Sequence, residues 1–77
     1  MQGKTLQRII FELSECKNNR EFSKAIRRTE GYTSNMTRSD VNISLELGID
    51  IMQRLGIDND EIKDVIIDYI NDNFFIN

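Results

Sequence analysis

The sequence predicts an all-α fold, a small compact bundle of about four helices. Apolar residues recur at spacings of three and four over most of the chain, cap-forming side chains precede these segments, and the sequence contains no proline. The 77 residues predict a single domain, and 39% apolar with 30% charged residues is typical of a globular chain. Because a chain this short buries only a small core, we expect self-association as a homodimer.

The first half of the chain predicts two helices and a loop. In residues 4–17, one helical face gathers Leu6, Ile9, Ile10, Leu13 and Cys16. Asn18 and Glu21 have the spacing of a capping box, so a short second helix is predicted from there to Gly31, where glycine permits a left-handed stop. The polar stretch YTSNMTRS that follows is predicted to be a surface loop.

Residues 40–52, DVNISLELGIDIM, fit two structural periods. Strict alternation of apolar and polar residues over 41–51 is typical of a half-buried strand, whereas the same residues form one broad apolar arc on a helix. We favour a helix over 38–55 because Thr37 and Asp40 resemble a capping box. A strand would also need a partner, and the chain has no second alternating run.

The longer stretch VNISLELGIDIMQRLGIDNDEIKDVIIDYI resembles the ribbon-helix-helix DNA-binding fold, in which a strand pairs across a dimer and two helices follow. The resemblance implies an α+β alternative with a strand at 41–47, and it places Asn42, Ser44 and Glu46 on the base-reading side. The chain departs from that pattern in two respects. The first of the two helices would be short, and the groove face and second helix are acidic rather than basic.

The last predicted helix begins at Asp58 or Asn59, runs to about Asp72 and carries a line of carboxylates. We define the acidic ridge as five residues on the face away from the predicted core: Asp60, Glu61, Asp64, Asp68 and Asp72. The aspartates are four residues apart, about 6 Å along a helix and close to the phosphate repeat of a nucleic-acid strand. Like charges at this spacing cost about 0.2–0.5 kcal/mol per pair, which a cationic partner would offset.

Positive charge lies in the other half of the sequence. Residues 1–40 contain eight Lys and Arg against five acids, while 41–77 contain two against eight. Four cations gather on the second predicted helix and form an alternative nucleic-acid-binding site: Arg20, Lys24, Arg27 and Arg28. Both charged surfaces also have a structural interpretation, as solvated faces or as partners of each other in salt bridges.

Catalytic, cofactor and metal sites are not expected. The chain has no His, so its Ser, Thr and Cys side chains lack their usual general base, and one Cys forms neither an intramolecular disulfide nor a metal cluster. The start of DNDEIKD matches a calcium loop, but Lys63 stands where the loop requires glycine and Tyr69 where it requires glutamate. Without a secretory signal or a membrane-length apolar segment, a cytoplasmic protein is predicted.

The sequence therefore predicts a small non-enzymatic regulatory or inhibitory protein whose acidic ridge binds a partner protein with a basic surface, as a nucleic-acid mimic. Twelve Ile and eight Asn are typical of AT-rich genomes such as those of low-GC bacteria and their phages, where host inhibition would suit this size. One alternative is a dimeric DNA-binding transcriptional regulator, and another is a structural assembly subunit. Spare apolar residues suggest the dimer contact: Phe11, Ile43, Phe75 and Ile76.

Overall fold

The computed structural model describes residues 4–75, and these form five α-helices and no strand. The helices are α1 (Leu6–Leu13), α2 (Asn19–Ile26), α3 (Glu30–Arg38), α4 (Leu45–Arg54) and α5 (Asn59–Phe74). The prediction of an all-α bundle is confirmed, and the strand alternative over 41–47 is wrong. The additional helix is α3, which replaces the surface loop predicted for the same stretch.

Each helix begins after a residue whose side-chain oxygen accepts a hydrogen bond from a backbone N–H in the first turn. These caps are Thr5, Asn18, Thr29, Ser44 and Asp58. Asn18 and Asp58 confirm the predicted starts of the second and last helices. The predicted cap at Thr37 is wrong, because Thr37 lies inside α3 and its hydroxyl donates to Asn19 Oδ1 at 3.2 Å.

The segment predicted as one second helix is divided in two by a sharp turn. Arg27, and not Gly31, adopts the left-handed conformation that ends α2, with φ 60° and ψ 46°. Two residues later Thr29 caps α3, and its hydroxyl accepts from the Tyr32 N–H at 3.1 Å. Gly31 therefore lies in the first turn of α3 rather than at a helix end.

The connection from α3 to α4 is held in place by the side chain of Gln7 on α1. Gln7 is fully buried, and its amide nitrogen donates to Val41 O at 2.8 Å and to Ser39 O at 3.3 Å. Its amide oxygen accepts from the Ile43 N–H at 3.1 Å. These bonds hold residues 39–43 in an irregular path that bends at residues 40 and 41 and pairs with no strand among residues 4–75, and Val41 is 76% exposed despite the alternating pattern.

The core draws on all five helices. Its buried apolar side chains are Leu6, Ile10, Phe22, Ile26, Met36, Ile51, Met52, Ile62 and Tyr69. Helix α4 packs on α1, α2 and α5, which gives the 38–55 segment its predicted central position. Phe11 is half-buried and meets the Phe22 ring edge-on at 5.2 Å between centroids, so α2 covers part of it.

The apolar end of α5 is not covered by the chain's own core. Ile62 and Tyr69 are buried, but Phe74 and Phe75 are 67% and 68% exposed. Ile76, the other apolar tail residue, lies outside the described residues. No helix within residues 4–75 has the length and hydropathy needed to cross a membrane.

Candidate functional site

The acidic ridge on α5 is a continuous solvent-facing surface. All five of its carboxylate residues are exposed, while the isoleucines at 62 and 66 face α4 and the core. Ion pairs among the described residues join Lys4 to Glu12, Arg20 to Glu30, and Arg54 to Asp50, and none of them includes a ridge residue. The negative charge is therefore not neutralised within residues 4–75, and its role as a partner-binding site stays a prediction.

The structure does not gather the four predicted cations into one site, although all four are exposed. Arg20 lies at the start of α2 and pairs with Glu30 at 3.7 Å. Lys24 lies on the last turn of α2, and Arg27 faces α4, where it lines a shallow concavity with Asp50. The remaining cation, Arg28, lies over the Tyr32 ring at 5.5 Å, so the turn at Arg27 separates it from Arg20.

Helices α2 and α3 form the most extensive helix pair of the fold, and only residues 27–29 join them. Their contact combines apolar and polar groups, because Phe22 and Ile26 of α2 meet Met36 in the core while Thr33 and Thr37 are also buried. The hydroxyl of Thr33 donates to Glu30 O at 3.0 Å and approaches Asn19 O at 3.4 Å. This arrangement fixes the outer side of α3 relative to the start of α2.

The outer side of α3 is polar. Its inner face consists of Thr33, Met36 and Thr37, so positions 31, 34, 35 and 38 face outward at helical spacing. We define the α3 face as the shallow concavity lined by Asn18, Asn19, Arg20, Glu30, Gly31, Ser34, Asn35 and Arg38. At its centre the guanidinium of Arg38 donates to the Ser34 hydroxyl, at 2.6 Å from Nη2 and 3.2 Å from Nε.

Positive charge continues from the α3 face onto α1. A second concavity shares Arg38 with the first and is lined in addition by Lys4, Thr5, Arg8, Thr37, Ser39 and Asp40. The two concavities together contain four cations against the acids Glu30 and Asp40, a net charge of +2 within a chain of net charge −3. The opposite charge lies on α5, which packs mainly on α4.

Sequence reasoning missed the α3 face because it assigned residues 32–39 to a loop. The signals for a helix were present: Thr29 is a cap-forming residue, Thr33, Met36 and Thr37 have helical spacing, and neither Gly nor Pro interrupts 32–39. Two of the three inward residues are threonines, however, and threonine is neither strongly apolar nor a strong helix former. Their burial depends on the hydrogen bonds to Asn19 and to α3's own carbonyls.

Among the residues that the structure describes, no three His, Cys, Asp or Glu side chains lie close enough together to hold a metal ion. The aspartates of the ridge follow one another along α5 instead of converging. No protein-family model, curated protein or solved structure matches this chain.

Proposed function

We propose that this protein binds double-stranded DNA through a helix-turn-helix formed by α2, the turn 27–29 and α3, with α3 entering the major groove. The observation that carries the proposal is the pairing of two short helices across a three-residue turn with a mostly polar outer face on the second, where Tyr32 is the exposed aromatic residue. Two helices joined by a turn of this length are characteristic of the motif. At nine residues α3 is about 13 Å long, comparable with the groove's width of about 12 Å.

The side chains on the α3 face suit both parts of DNA recognition. Asn35 offers an amide donor and acceptor that match the major-groove edge of adenine, and Arg38 can make a bidentate contact with guanine. Around them Arg8 would contact phosphates, and so would Arg20 and Lys4 on exchanging their exposed ion pairs with Glu30 and Glu12. Phosphate contacts supply much of the affinity but little sequence information. The chain's net negative charge does not oppose this, because eight of its thirteen acids lie after residue 40.

The test starts from a random-sequence duplex library, from which the purified protein selects bound sequences, followed by fluorescence-anisotropy titration of the selected duplex. Asn35→Ala is expected to cost about 1–3 kcal/mol of binding and to relax specificity at one base pair. Arg38→Ala is likewise expected to cost about 1–3 kcal/mol and to relax specificity at a second base pair, whereas Arg8→Ala weakens binding to all sequences and reduces the slope of log K against log salt. Lys63→Ala on α5 is the matched cation control and leaves binding unchanged. No enrichment from the library at low salt would refute the proposal.

The DNA-binding proposal includes a homodimer, since paired motifs read two half-sites about 34 Å apart. Of the four apolar residues proposed for the dimer contact, Phe11 and Ile43 are partly buried against the chain's own core, whereas Phe75 is exposed. Ile67, at 56% exposure on the same helix as Phe74, adds to the available apolar surface. Light scattering tests the proposed homodimer. If the selected DNA sequence is two-fold symmetric and the protein is a monomer, the dimer proposal is wrong. A large closed oligomer that does not bind DNA would favour an assembly role.

A second candidate function is binding of a basic protein surface through the acidic ridge. The observation that favours it is the absence of any ion pair to these residues within the described part of the chain, despite three like-charged pairs at helical spacing. Charges arranged in this way steer encounter with an oppositely charged partner and raise the association rate. The partner's cations would have the spacing of cations that bind successive phosphates of a nucleic-acid strand.

This second proposal is tested by capture of basic proteins from a lysate and by titration of the partner so identified. Asp64→Asn combined with Asp68→Asn is expected to leave the fold intact and to reduce affinity, with the wild-type affinity falling steeply as salt rises. The matched control neutralises two exposed acids outside the ridge, Glu15→Gln with Glu46→Gln. Equal loss in both double variants would mean that net charge, and not the ridge, determines binding.

A further inference from the structure

Two of the three glycines in residues 4–75 are required by the fold. A Cβ on Gly48 would lie 2.6 Å from Leu6 Cδ2, so α1 and α4 can approach each other only where α4 has no side chain. Gly56 has φ +79°, a conformation that other residues rarely adopt, and it follows the end of α4. In both places the reason for glycine is found within the chain.

Gly31 has no such reason. It lies in the first turn of α3, is exposed and does not have a positive φ. A Cβ added there would meet nothing closer than Thr29 Oγ1 at 4.0 Å, which is ordinary van der Waals contact. Glycine within a helix stabilises the folded protein less than alanine does, because an unfolded chain with glycine has more backbone conformations to lose on folding. Gly31 is therefore a less stabilising residue than alanine, at a surface position where the fold has space for a side chain.

We propose that Gly31 is the point where DNA comes closest to α3, so that base edges contact the α3 backbone where a Cβ would intrude. Glycine is used where a backbone must approach a ligand closely. Gly31 shares the outward side of α3 with Asn35 and Arg38, four and seven residues later. Its missing side chain thus sets how deeply α3 sits in the groove, and depth determines whether Asn35 reaches a base. This inference rests on the DNA-binding proposal.

The test is Gly31→Ala, compared with the unaltered protein on the duplex selected from the random library and on an unrelated duplex. We expect the Tm to rise by about 2–6 °C, because the substitution is compatible with the helical backbone. Affinity for the selected duplex is expected to fall by about tenfold or more, the scale of one lost base contact. Binding to the unrelated duplex and its salt dependence stay nearly unchanged, because the phosphate contacts of Arg20 and Arg8 remain.

The control is Asn71→Ala, which replaces an exposed helical residue on α5 by a better helix former and so raises the Tm without touching α3. It should leave both affinities unchanged, which separates added stability from lost binding. If the unaltered protein binds the selected duplex and Gly31→Ala binds it equally well, the inference about Gly31 is wrong and the DNA-binding proposal stands. If the unaltered protein binds no duplex, the DNA-binding proposal is wrong, and this inference fails with it.

Discussion

Gln7 connects α1 to the segment between α3 and α4, and replacing it by leucine tests whether that connection stabilises the fold. Leucine has a similar volume but neither donates nor accepts hydrogen bonds. The change leaves Val41 O, Ser39 O and the Ile43 N–H without their partner on α1, where they now have bonds of 2.8, 3.3 and 3.1 Å. Because Gln7 is fully buried, water reaches the released groups only from the exposed side of the segment, at residues 40–42.

The expected cost follows from these three bonds. A net contribution of about 1 kcal/mol for each hydrogen bond gives about 3 kcal/mol. Asp40, Val41 and Asn42 are exposed, so water can reach some of the released backbone groups, and leucine is more favourably buried than glutamine. We therefore expect a loss of about 2–4 kcal/mol, a large share of the roughly 4–12 kcal/mol that a domain of this length possesses.

The measurement is urea unfolding followed by far-ultraviolet circular dichroism at pH 7, with a thermal melt in parallel. A loss of this size lowers the Tm by about 10–30 °C in a domain of 60–100 residues. Gln53→Leu on the exposed side of α4 is the matched control, and its stability should stay within about 0.5 kcal/mol of wild type. A Gln7→Leu protein as stable as the control would show that the amide network does not hold residues 39–43 in place.

Three further predictions concern packing, pH and charge. Gly48→Ala should destabilise the fold by about 1–3 kcal/mol in the same urea assay, since its Cβ would lie 2.6 Å from Leu6 Cδ2; an unchanged midpoint would contradict the close α1–α4 approach. Burial raises the pKa of the Tyr69 phenol. Stability is therefore retained below the ordinary pKa of about 10 and lost as pH rises through the higher folded value, and Tyr69→Phe should flatten this alkaline loss. Asp64→Asn with Asp68→Asn removes three repulsive pairs and should stabilise α5 by roughly 0.6–1.5 kcal/mol in low salt, an increment that shrinks as salt is added.

The sequence by itself determined the features that depend on neighbours within one or two turns. The start of α5 at Asn59 and the outward direction of its carboxylates follow from a capping residue and a spacing of four, which act within the helix itself. The same holds for Asn18 as the cap of α2 and for the existence of the first helix, although α1 spans Leu6–Leu13 rather than the predicted 4–17. The acidic ridge can be located from the spacing of its residues alone, because its exposure requires only that the opposite face of the helix be apolar.

Tertiary structure decided what local pattern left open, and the α3 face belongs to this part. Residues 40–47 fit a strand and a helix equally well. Contacts 32 to 36 positions away in sequence, from Gln7 and Leu6 to residues 39–43, hold the first part of this stretch in an irregular path, and the helix begins only at Leu45. In α3, the buried hydroxyls of Thr33 and Thr37 form hydrogen bonds with Asn19 of α2. Buried polar groups need such partners, and the sequence of α3 alone does not show that Asn19 lies beside it. Hydrogen bonds between distant residues fixed this surface, whereas short-range spacing fixed the ridge.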